Sequence, residues 1–257
     1  KDKYEGLNDY LTYGGIPLVV LRDGDREKEE YLKTLFKETY LKDIISRNKR
    51  RNTPVLETLT DILASQTGSL TNPRRIINTF DSVEHISVSP NTIQAYLTAL
   101  EEAYIISCSK RYNIRGRQYI GSPQKYYFED NGLRNARLGF RQQELPHIME
   151  NIIFNELKIR GFNVDVGVVE YNYKDTEGKS KRTQLEVDFV AIKNGLPEYY
   201  QVSLSATNEE TLNRELKPLK AIKDSYPKFL ITLDESNEIS HDGIRQIYAL
   251  DWLCGRG

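Results

Sequence analysis

The sequence predicts an α/β protein of the multi-domain α+β type, on three observations. The chain has 257 residues, about as many as a single hydrophobic core holds, so more than one compact unit is expected. A hydrophobic fraction of 39% and a charged fraction of 28% are typical of a globular protein. Apolar residues recur first at helical spacing, then at strand spacing, and last in mixed helix and strand segments. We predict three consecutive domains, at residues 1–50, 51–140 and 141–257.

The first domain, residues 1–50, is predicted to be a helical segment. Gly14-Gly15-Ile16-Pro17 favours a turn between two helices, because glycine permits a sharp bend and proline disfavours helix at the residue before it. From Glu27 to Asn48, apolar side chains recur at three- and four-residue steps. That spacing predicts one amphipathic helix, whose simplest role is packing.

The second domain, residues 51–140, shows the order of a winged helix-turn-helix. Proline and cap residues mark three helix starts, and two sets of glycine-containing breakers divide the strand-like stretch that follows. The predicted helices are Pro54–Gly68, Arg74–Phe80 and Asn91–Glu102, followed by a hairpin over Tyr104–Phe128 with breakers at Gly116 and at Gly121-Ser122-Pro123.

This hairpin carries a local basic patch in a chain whose formal net charge is only -1. No acidic residue interrupts it, and its basic residues are Lys110, Arg111, Arg115, Arg117 and Lys125. Such a patch predicts contact with DNA phosphates, with Thr92, Gln94 and Tyr96 of the preceding helix as groove-facing candidates. Two other interpretations stay open: winged helices also dock proteins, and a basic hairpin protects a sheet edge from pairing.

The third domain, residues 141–257, predicts the element order αβββαβ. A helix comes first and three strands follow it; a second helix, which Pro218 should kink, then precedes a buried strand. The predicted bounds are His147–Arg160, Asn163–Tyr173, Gln184–Lys193, Glu198–Leu204, Thr207–Ser225 and Lys228–Leu233, with a final strand or short helix at Ile247–Leu253.

The αβββαβ order, with its acids, resembles the PD-(D/E)XK nuclease superfamily, a restriction-endonuclease-like fold. The resemblance implies that Glu150, Glu186 and Asp188 are candidate catalytic carboxylates, with Glu150 and Asp188 as candidate Mg²⁺ ligands. Alternation sends the two strand acids to one face. On the next strand Gln201 stands where the family has a carboxylate, and its carbonyl oxygen can still face a metal, so it belongs to the candidate catalytic set. Ser203 stands where the family has lysine. Because serine cannot supply the positive charge, nuclease activity is not expected.

Several classes of protein are excluded or disfavoured by what the sequence lacks. The longest aliphatic run, Ile16–Leu21, is far too short to span a bilayer, and Cys108 and Cys254 have no metal-like spacing, so a cytoplasmic protein without a membrane partner is expected. No glycine-rich loop with a following Lys-Ser/Thr occurs at phosphate-binding spacing, so we expect no ATP hydrolysis by this chain. Met149 is the only methionine, and we expect Lys1 to lie inside a longer protein.

Motifs along nearly the whole chain resemble the C-terminal region of bacterial and archaeal AAA+ ATPases that end in a domain of unknown function. These motifs are Tyr13-Gly14-Gly15-Ile16-Pro17, Leu41-Lys42-Asp43-Ile44-Ile45, Ser89-Pro90-Asn91-Thr92, Tyr126-Tyr127-Phe128-Glu129-Asp130-Asn131-Gly132-Leu133-Arg134, Glu150-Asn151-Ile152, Glu186-Val187-Asp188-Phe189-Val190 and Tyr200-Gln201-Val202-Ser203. The resemblance implies a preceding ATP-binding P-loop domain, through which the full-length protein would hydrolyse ATP and form oligomers. It also implies that Gln-Val-Ser is the usual form of the third strand there.

The leading hypothesis is a noncatalytic module of such an ATPase that binds DNA or a protein partner. A Mg²⁺-dependent nuclease is the second hypothesis, and a protein-interaction or regulatory adaptor is the third. A DNA-binding module requires salt-dependent DNA binding through the basic hairpin. A nuclease requires a metal at Glu150 and Asp188, and an adaptor requires neither.

Overall fold

A computed structural model of the protein describes residues 2–47, 53–141, 144–174, 176–235 and 239–255. It is a mixed α/β protein with one eight-stranded mixed sheet. The chain forms two compact units: unit 1 comprises residues 1–108 and 123–152, and unit 2 comprises residues 109–122 and 153–257. In the described part of the chain, no helix combines the length and the apolar character needed to cross a membrane.

Unit 1 begins with helices on either side of the predicted turn. Helix α1 spans Lys3–Tyr13 and α2 spans Pro17–Val20. The single helix predicted from Glu27 to Asn48 is instead interrupted in pitch: α3 (Asp25–Thr34) runs into a π-helical segment (Leu35–Leu41) and then into α4 (Lys42–Arg47), while Asn48 lies outside the described residues. Apolar periodicity alone does not distinguish an α turn from a wider π turn.

The three helices predicted next in unit 1 are all present. They are α5 (Thr53–Ser65), α6 (Pro73–Thr79), which continues as a π-helical segment (Phe80–Glu84), and α7 (Pro90–Glu102). Side-chain caps start two of them, since Asn72 accepts the Arg75 N–H at 2.9 Å and Ser89 accepts the Thr92 N–H at 3.1 Å. Their apolar faces form the core of this unit.

A short helix that the periodicity did not reveal, α8 (Asn131–Arg137), joins unit 1 through buried polar groups. Asp130 caps it and accepts the backbone N–H of Gly15 at 2.8 Å. The fully buried guanidinium of Arg134 donates to the carbonyl of Ala64, at the last turn of α5, over 2.9 Å. Asn135 donates to the carbonyls of Leu11 and Thr12 in α1. This helix of largely polar sequence is thus held by hydrogen bonds in addition to the burial of Leu133 and Ala136 in the core.

The polar contacts of α8 require glycine at close approaches. A Cβ on Gly132 would lie 2.0 Å from the carbonyl oxygen of Tyr13, and a Cβ on Gly14, which has φ of 72°, would lie 2.1 Å from Asp130 Oδ1. Burial raises the pKa of Asp130, and backbone N–H donors, among them that of Gly15, oppose that rise. The Asp130 carboxylate is therefore held by backbone amides in place of water.

Helix α9 (Leu145–Ile159) carries a second tie within unit 1, at its buried Asn151. The Asn151 side chain accepts the Phe128 N–H at 2.8 Å and donates to the Phe128 carbonyl at 2.7 Å. Phe128 is the last residue of strand β2 (Gln118–Phe128), so the amide replaces a neighbouring strand at that point.

Besides β2, the strands are β1 (Ile106–Asn113), β3 (Asn163–Lys174), β4 (Ser180–Lys193), β5 (Leu196–Val202), β6 (Lys228–Thr232), β7 (Ile239–His241) and β8 (Ile244–Tyr248). The sheet has the strand order β2-β1-β3-β4-β5-β6-β8-β7. Its strands β3, β4 and β5 form an antiparallel meander, while β1 with β3, β5 with β6 and β6 with β8 are parallel. Helix α10 (Glu209–Ala221) packs Leu216 and Leu219 onto Val187 and Val190 of this sheet, and α11 (Ala249–Leu253) follows the last strand.

The predicted order αβββαβ is therefore present as α9, β3, β4, β5, α10 and β6. The winged-helix and nuclease-like assignments stay predictions, and one local prediction was wrong. Gly121-Ser122-Pro123 lies inside β2, because β2 is an edge strand and the missing proline N–H costs no ladder bond there. Helix α10 contains Pro218 and ends three residues later at Ala221, and the kink expected at Pro218 stays a prediction.

We predict that Gly132→Ala destabilises the protein by about 1 to 3 kcal/mol, because the added methyl forces the Tyr13 carbonyl away from α8. The measurement is urea unfolding followed by circular dichroism. The matched control is Gly6→Ala in α1, where a Cβ meets nothing within 4 Å. It should stabilise the protein by about 0.5 to 1 kcal/mol. Equal effects of the two substitutions would contradict the close-approach argument.

A second prediction concerns Asn151→Leu, which keeps side-chain volume but removes both hydrogen bonds to Phe128. Taking a partner from each of two buried backbone groups should cost about 2 to 5 kcal/mol of unfolding free energy. Thr98→Ala, at an exposed position of α7, serves as the control and should change stability by less than about 0.5 kcal/mol. A stable Asn151→Leu variant would show that Phe128 finds other partners.

Candidate nucleic-acid interface and nuclease-like residues

Glu150 lies on α9 in unit 1 and is held by two side chains from β2. Its Oε1 accepts a hydrogen bond from Lys125 Nζ at 2.8 Å and another from Tyr127 Oη at 2.6 Å. Lys125 and Tyr127 are two residues apart, so strand alternation points both at the same carboxylate. A Cβ on Gly68 would lie 3.3 Å from the Glu150 oxygens, so a larger residue there would crowd the pair.

This arrangement separates Lys125 from the predicted DNA-contacting patch. The side chain of Lys125 is 5% exposed and that of Glu150 is 13% exposed, so the ammonium faces the carboxylate and not solvent. Lys125 is therefore not one of the surface cations that DNA could contact. The spacing of basic residues could not reveal this, since its partner lies 25 residues away on another element.

Asp188, Gln201 and Glu215 meet in unit 2. Asp188 Oδ2 accepts the Val202 N–H at 2.8 Å, and the Asp188 N–H lies 3.4 Å from Gln201 Oε1. The Gln201 amide donates to Glu215 Oε2 at 3.1 Å, and Arg214 donates to Glu215 Oε1 at 2.8 Å. The carbonyl oxygen that the sequence offered to a metal is thus directed at a backbone N–H.

The remaining nuclease-like residues also have local contacts. Glu186 is half-buried on β4, and Ser203 Oγ donates to the carbonyl of Ser205 at 3.0 Å. Within the described ranges, no three His, Cys, Asp or Glu side chains are grouped so as to hold a metal ion. Glu150 faces an ammonium and Gln201 faces an N–H. The Mg²⁺ site itself stays a prediction.

The other four basic residues of the hairpin lie in unit 2, and three of them are exposed. Lys110, Arg115 and Arg117 face solvent, whereas Arg111 is half-buried and donates to Gln184 Oε1 at 3.1 Å. The Arg115 side chain is 83% exposed and lies 3.8 Å from Glu170. Of these exposed cations, Arg115 and Arg117 lie at the turn of the hairpin and Lys110 lies on its first strand.

Tyr119 orders the exposed side of this hairpin. Its hydroxyl donates to Asp165 Oδ2 at 3.0 Å, and Lys110 Nζ lies 5.8 Å from the centre of its ring. Burial raises the pKa of Asp165, and its hydrogen bond from Tyr119 and the nearby charge of Lys110 oppose that rise. Tyr119 is therefore bonded to Asp165 at the surface of unit 2, with the Lys110 ammonium near its ring.

The helix predicted to face the DNA groove is α7 in unit 1. Gln94 is exposed and Thr92 is half-buried, with its hydroxyl 2.8 Å from that of Ser89 at the helix cap. Tyr96 is only 3% exposed and packs in the core, so it is not available to DNA. The position of Tyr96 in the apolar stripe of α7 is the sequence feature that could have predicted its burial.

Unit 2 also contains a basic cavity that the sequence did not predict. Its volume is about 870 Å³, and it lies between the hairpin turn, strand β3 and helix α10. The basic residues that line it are Arg115, Arg117, Lys217, Lys220 and Lys223. Lys217 and Lys220 are three residues apart and share one face of α10, a spacing that could have been noticed in the sequence. Their proximity to the hairpin, about a hundred residues earlier in the chain, is tertiary.

Two uncharacterized proteins are similar to this chain. One from Haemophilus influenzae is 37% identical over 246 residues, which cover 96% of this chain and 57% of that protein. One from Methanocaldococcus jannaschii is 29% identical over 221 residues, which cover 85% of this chain and 46% of that protein. The chain spans about half the length of these relatives.

A crystal structure of a Vibrio cholerae protein aligns with 94% of this chain and 55% of that one, at 13% identity and a TM-score of 0.27. That likeness is too weak to argue from. Residues 4–144 match the family described as "Domain of unknown function (DUF8612)". The match covers more than half of the chain. The chain therefore belongs to the DUF8612 family.

Proposed function

We propose that this chain is a noncatalytic DNA-contacting module of a larger ATPase. The observation that carries the proposal is the cluster of solvent-facing cations on the hairpin of unit 2, at Lys110, Arg115 and Arg117. With a net charge of -1, the chain has no overall attraction for DNA, so binding must come from such a local concentration of charge.

The contacts of the nuclease-like residues support a noncatalytic role. Cleavage of a phosphodiester by this type of site requires carboxylates on a divalent ion and a cation that stabilises developing charge. In unit 2, Gln201 bonds to Asp188 and Glu215, and Ser203 bonds within its own turn. In unit 1, Lys125 neutralises Glu150. Each of these groups is thus already bonded to other protein groups, which supports a noncatalytic role.

The ATPase context rests on the sequence resemblance. The curated relatives are about twice as long as the segments that match this chain, which leaves room in them for a further domain. We propose that this further domain binds ATP and that its nucleotide-driven motion acts on DNA bound by the module. A P-loop in the remaining part of those relatives is what this context requires.

The hairpin cations give the first test of this function. Replacing Arg115 and Arg117 by alanine should weaken duplex DNA binding and lower the slope of log affinity against log salt by about 1.8, because each lost phosphate contact removes about 0.9. Fluorescence anisotropy at several salt concentrations measures both. Arg26→Ala with Lys37→Ala, two exposed cations of unit 1, is the control of equal charge change. Unchanged binding by the hairpin variant would contradict the proposal.

The second test concerns cleavage. We expect no cutting of plasmid or branched DNA by the parent protein in Mg²⁺ or Mn²⁺, because the absent cation alone should reduce the rate about 10²- to 10³-fold. The comparison includes Asp188→Ala and the double variant Gln201→Glu with Ser203→Lys. Metal-dependent cutting by the parent that disappears in Asp188→Ala would favour a nuclease instead. If the protein neither binds nor cuts DNA, a protein-interaction adaptor becomes the better hypothesis.

A further inference from the structure

We propose that the basic cavity of unit 2 binds the phosphates of single-stranded DNA, and that Tyr171 and Tyr173 beside it stack on unpaired bases. The inference rests on the proposed function and specifies its substrate. The volume of about 870 Å³ lies within the range of roughly 300 to 1,000 Å³ that is usual for ligand pockets.

The charge of the cavity favours an anion. Five basic residues line it against two acidic ones, Glu170 and Asp224. Both acids already have partners at the cavity's edge or outside it. Arg182 bonds to Glu170, and Lys228 lies 3.8 Å from Asp224, which also accepts a hydrogen bond from the Tyr199 hydroxyl at 2.6 Å. Although Arg115 of the lining also lies 3.8 Å from Glu170, the lining keeps a surplus of positive charge.

Geometry concentrates this charge on two surfaces. Lys217 and Lys220 extend from one face of α10, and Arg115 and Arg117 extend from the hairpin turn. Lys220 is paired with Asp242 at 2.8 Å, but the Asp242 side chain is 79% exposed. Water therefore screens the pair, and a phosphate can replace the Asp242 carboxylate. Two rows of cations across a cavity suit a phosphate backbone that passes between them.

The tyrosines indicate a single strand. The rings of Tyr171 and Tyr173 lie nearly parallel, at 14°, with centres 6.3 Å apart, and Lys217 Nζ lies 4.8 Å from the centre of the Tyr171 ring. Tyr173 is 43% exposed, so its ring is accessible to a planar base. Bases in a duplex are already stacked and paired, whereas unpaired bases stack on aromatic side chains next to a basic groove.

The experiment measures anisotropy of a labelled oligo-dT of about 15 nucleotides and of its duplex with oligo-dA, a length near the upper end of single-strand site sizes. Lys217→Gln with Lys220→Gln should lower the single-strand salt slope by about 1.4, since each phosphate contact contributes about 0.7. Lys217→Arg with Lys220→Arg should bind like the parent. Lys33→Gln with Lys37→Gln, exposed on the helical stretch of unit 1, is the matched control and should change nothing.

The tyrosine variants separate stacking from charge. Tyr173→Ala should weaken oligo-dT binding by roughly 5- to 150-fold without changing the salt slope, and Tyr173→Phe should retain binding. A thermal unfolding midpoint equal to that of the parent shows that the fold of each variant is intact. The expected parent result is tighter binding of oligo-dT than of the duplex.

Three results would overturn the inference. Equal or tighter binding of the duplex would remove the single-strand preference. Unchanged oligo-dT binding by the Lys217 and Lys220 glutamine variant, together with weakened DNA binding by the Arg115 and Arg117 variant, would restrict DNA contact to the hairpin and leave the proposed function standing. A parent that binds neither probe would contradict the proposed function as well.

Discussion

The burial of polar groups around α8 is the constraint on which unit 1 depends. The short helix has few apolar residues, yet Asp130, Arg134 and Asn135 each bond to another element. A buried charge is expensive unless hydrogen bonds replace its water, so each of these contacts must be made for the unit to pack. Gly14 and Gly132 provide the close approach that these bonds require.

The same principle describes the contacts of the nuclease-like residues. Glu150 accepts bonds from an ammonium and a hydroxyl, and Gln201 is divided between Asp188 and Glu215. These groups are satisfied by protein, and a buried satisfied carboxylate or amide rigidifies its surroundings. Exposed cations of unit 2 lie at the hairpin and on α10, where Lys220 also pairs with Asp242.

The sequence predicts those elements of the fold whose burial is reflected in the spacing of apolar residues. Helices α5 and α7 and strands β3 and β4 were predicted because apolar periodicity reports which face is buried. Helix α8 was not, since hydrogen bonds to distant carbonyls leave no periodic signal. The π-helical segment Leu35–Leu41 and the strand through Pro123 depend on local pitch and on edge position, which periodicity does not encode.

The sequence by itself determined the mixed α/β composition, the order of elements from α9 to β6, and the presence of a basic hairpin, because these depend on neighbouring residues. Only the tertiary structure decided which charges are available. It buried Lys125 against Glu150 and brought Lys217 and Lys220 to the cavity that Arg115 lines. The physical reason is that the environment of a charge is set by elements far away in the chain, and burial or pairing determines whether that charge reaches a partner.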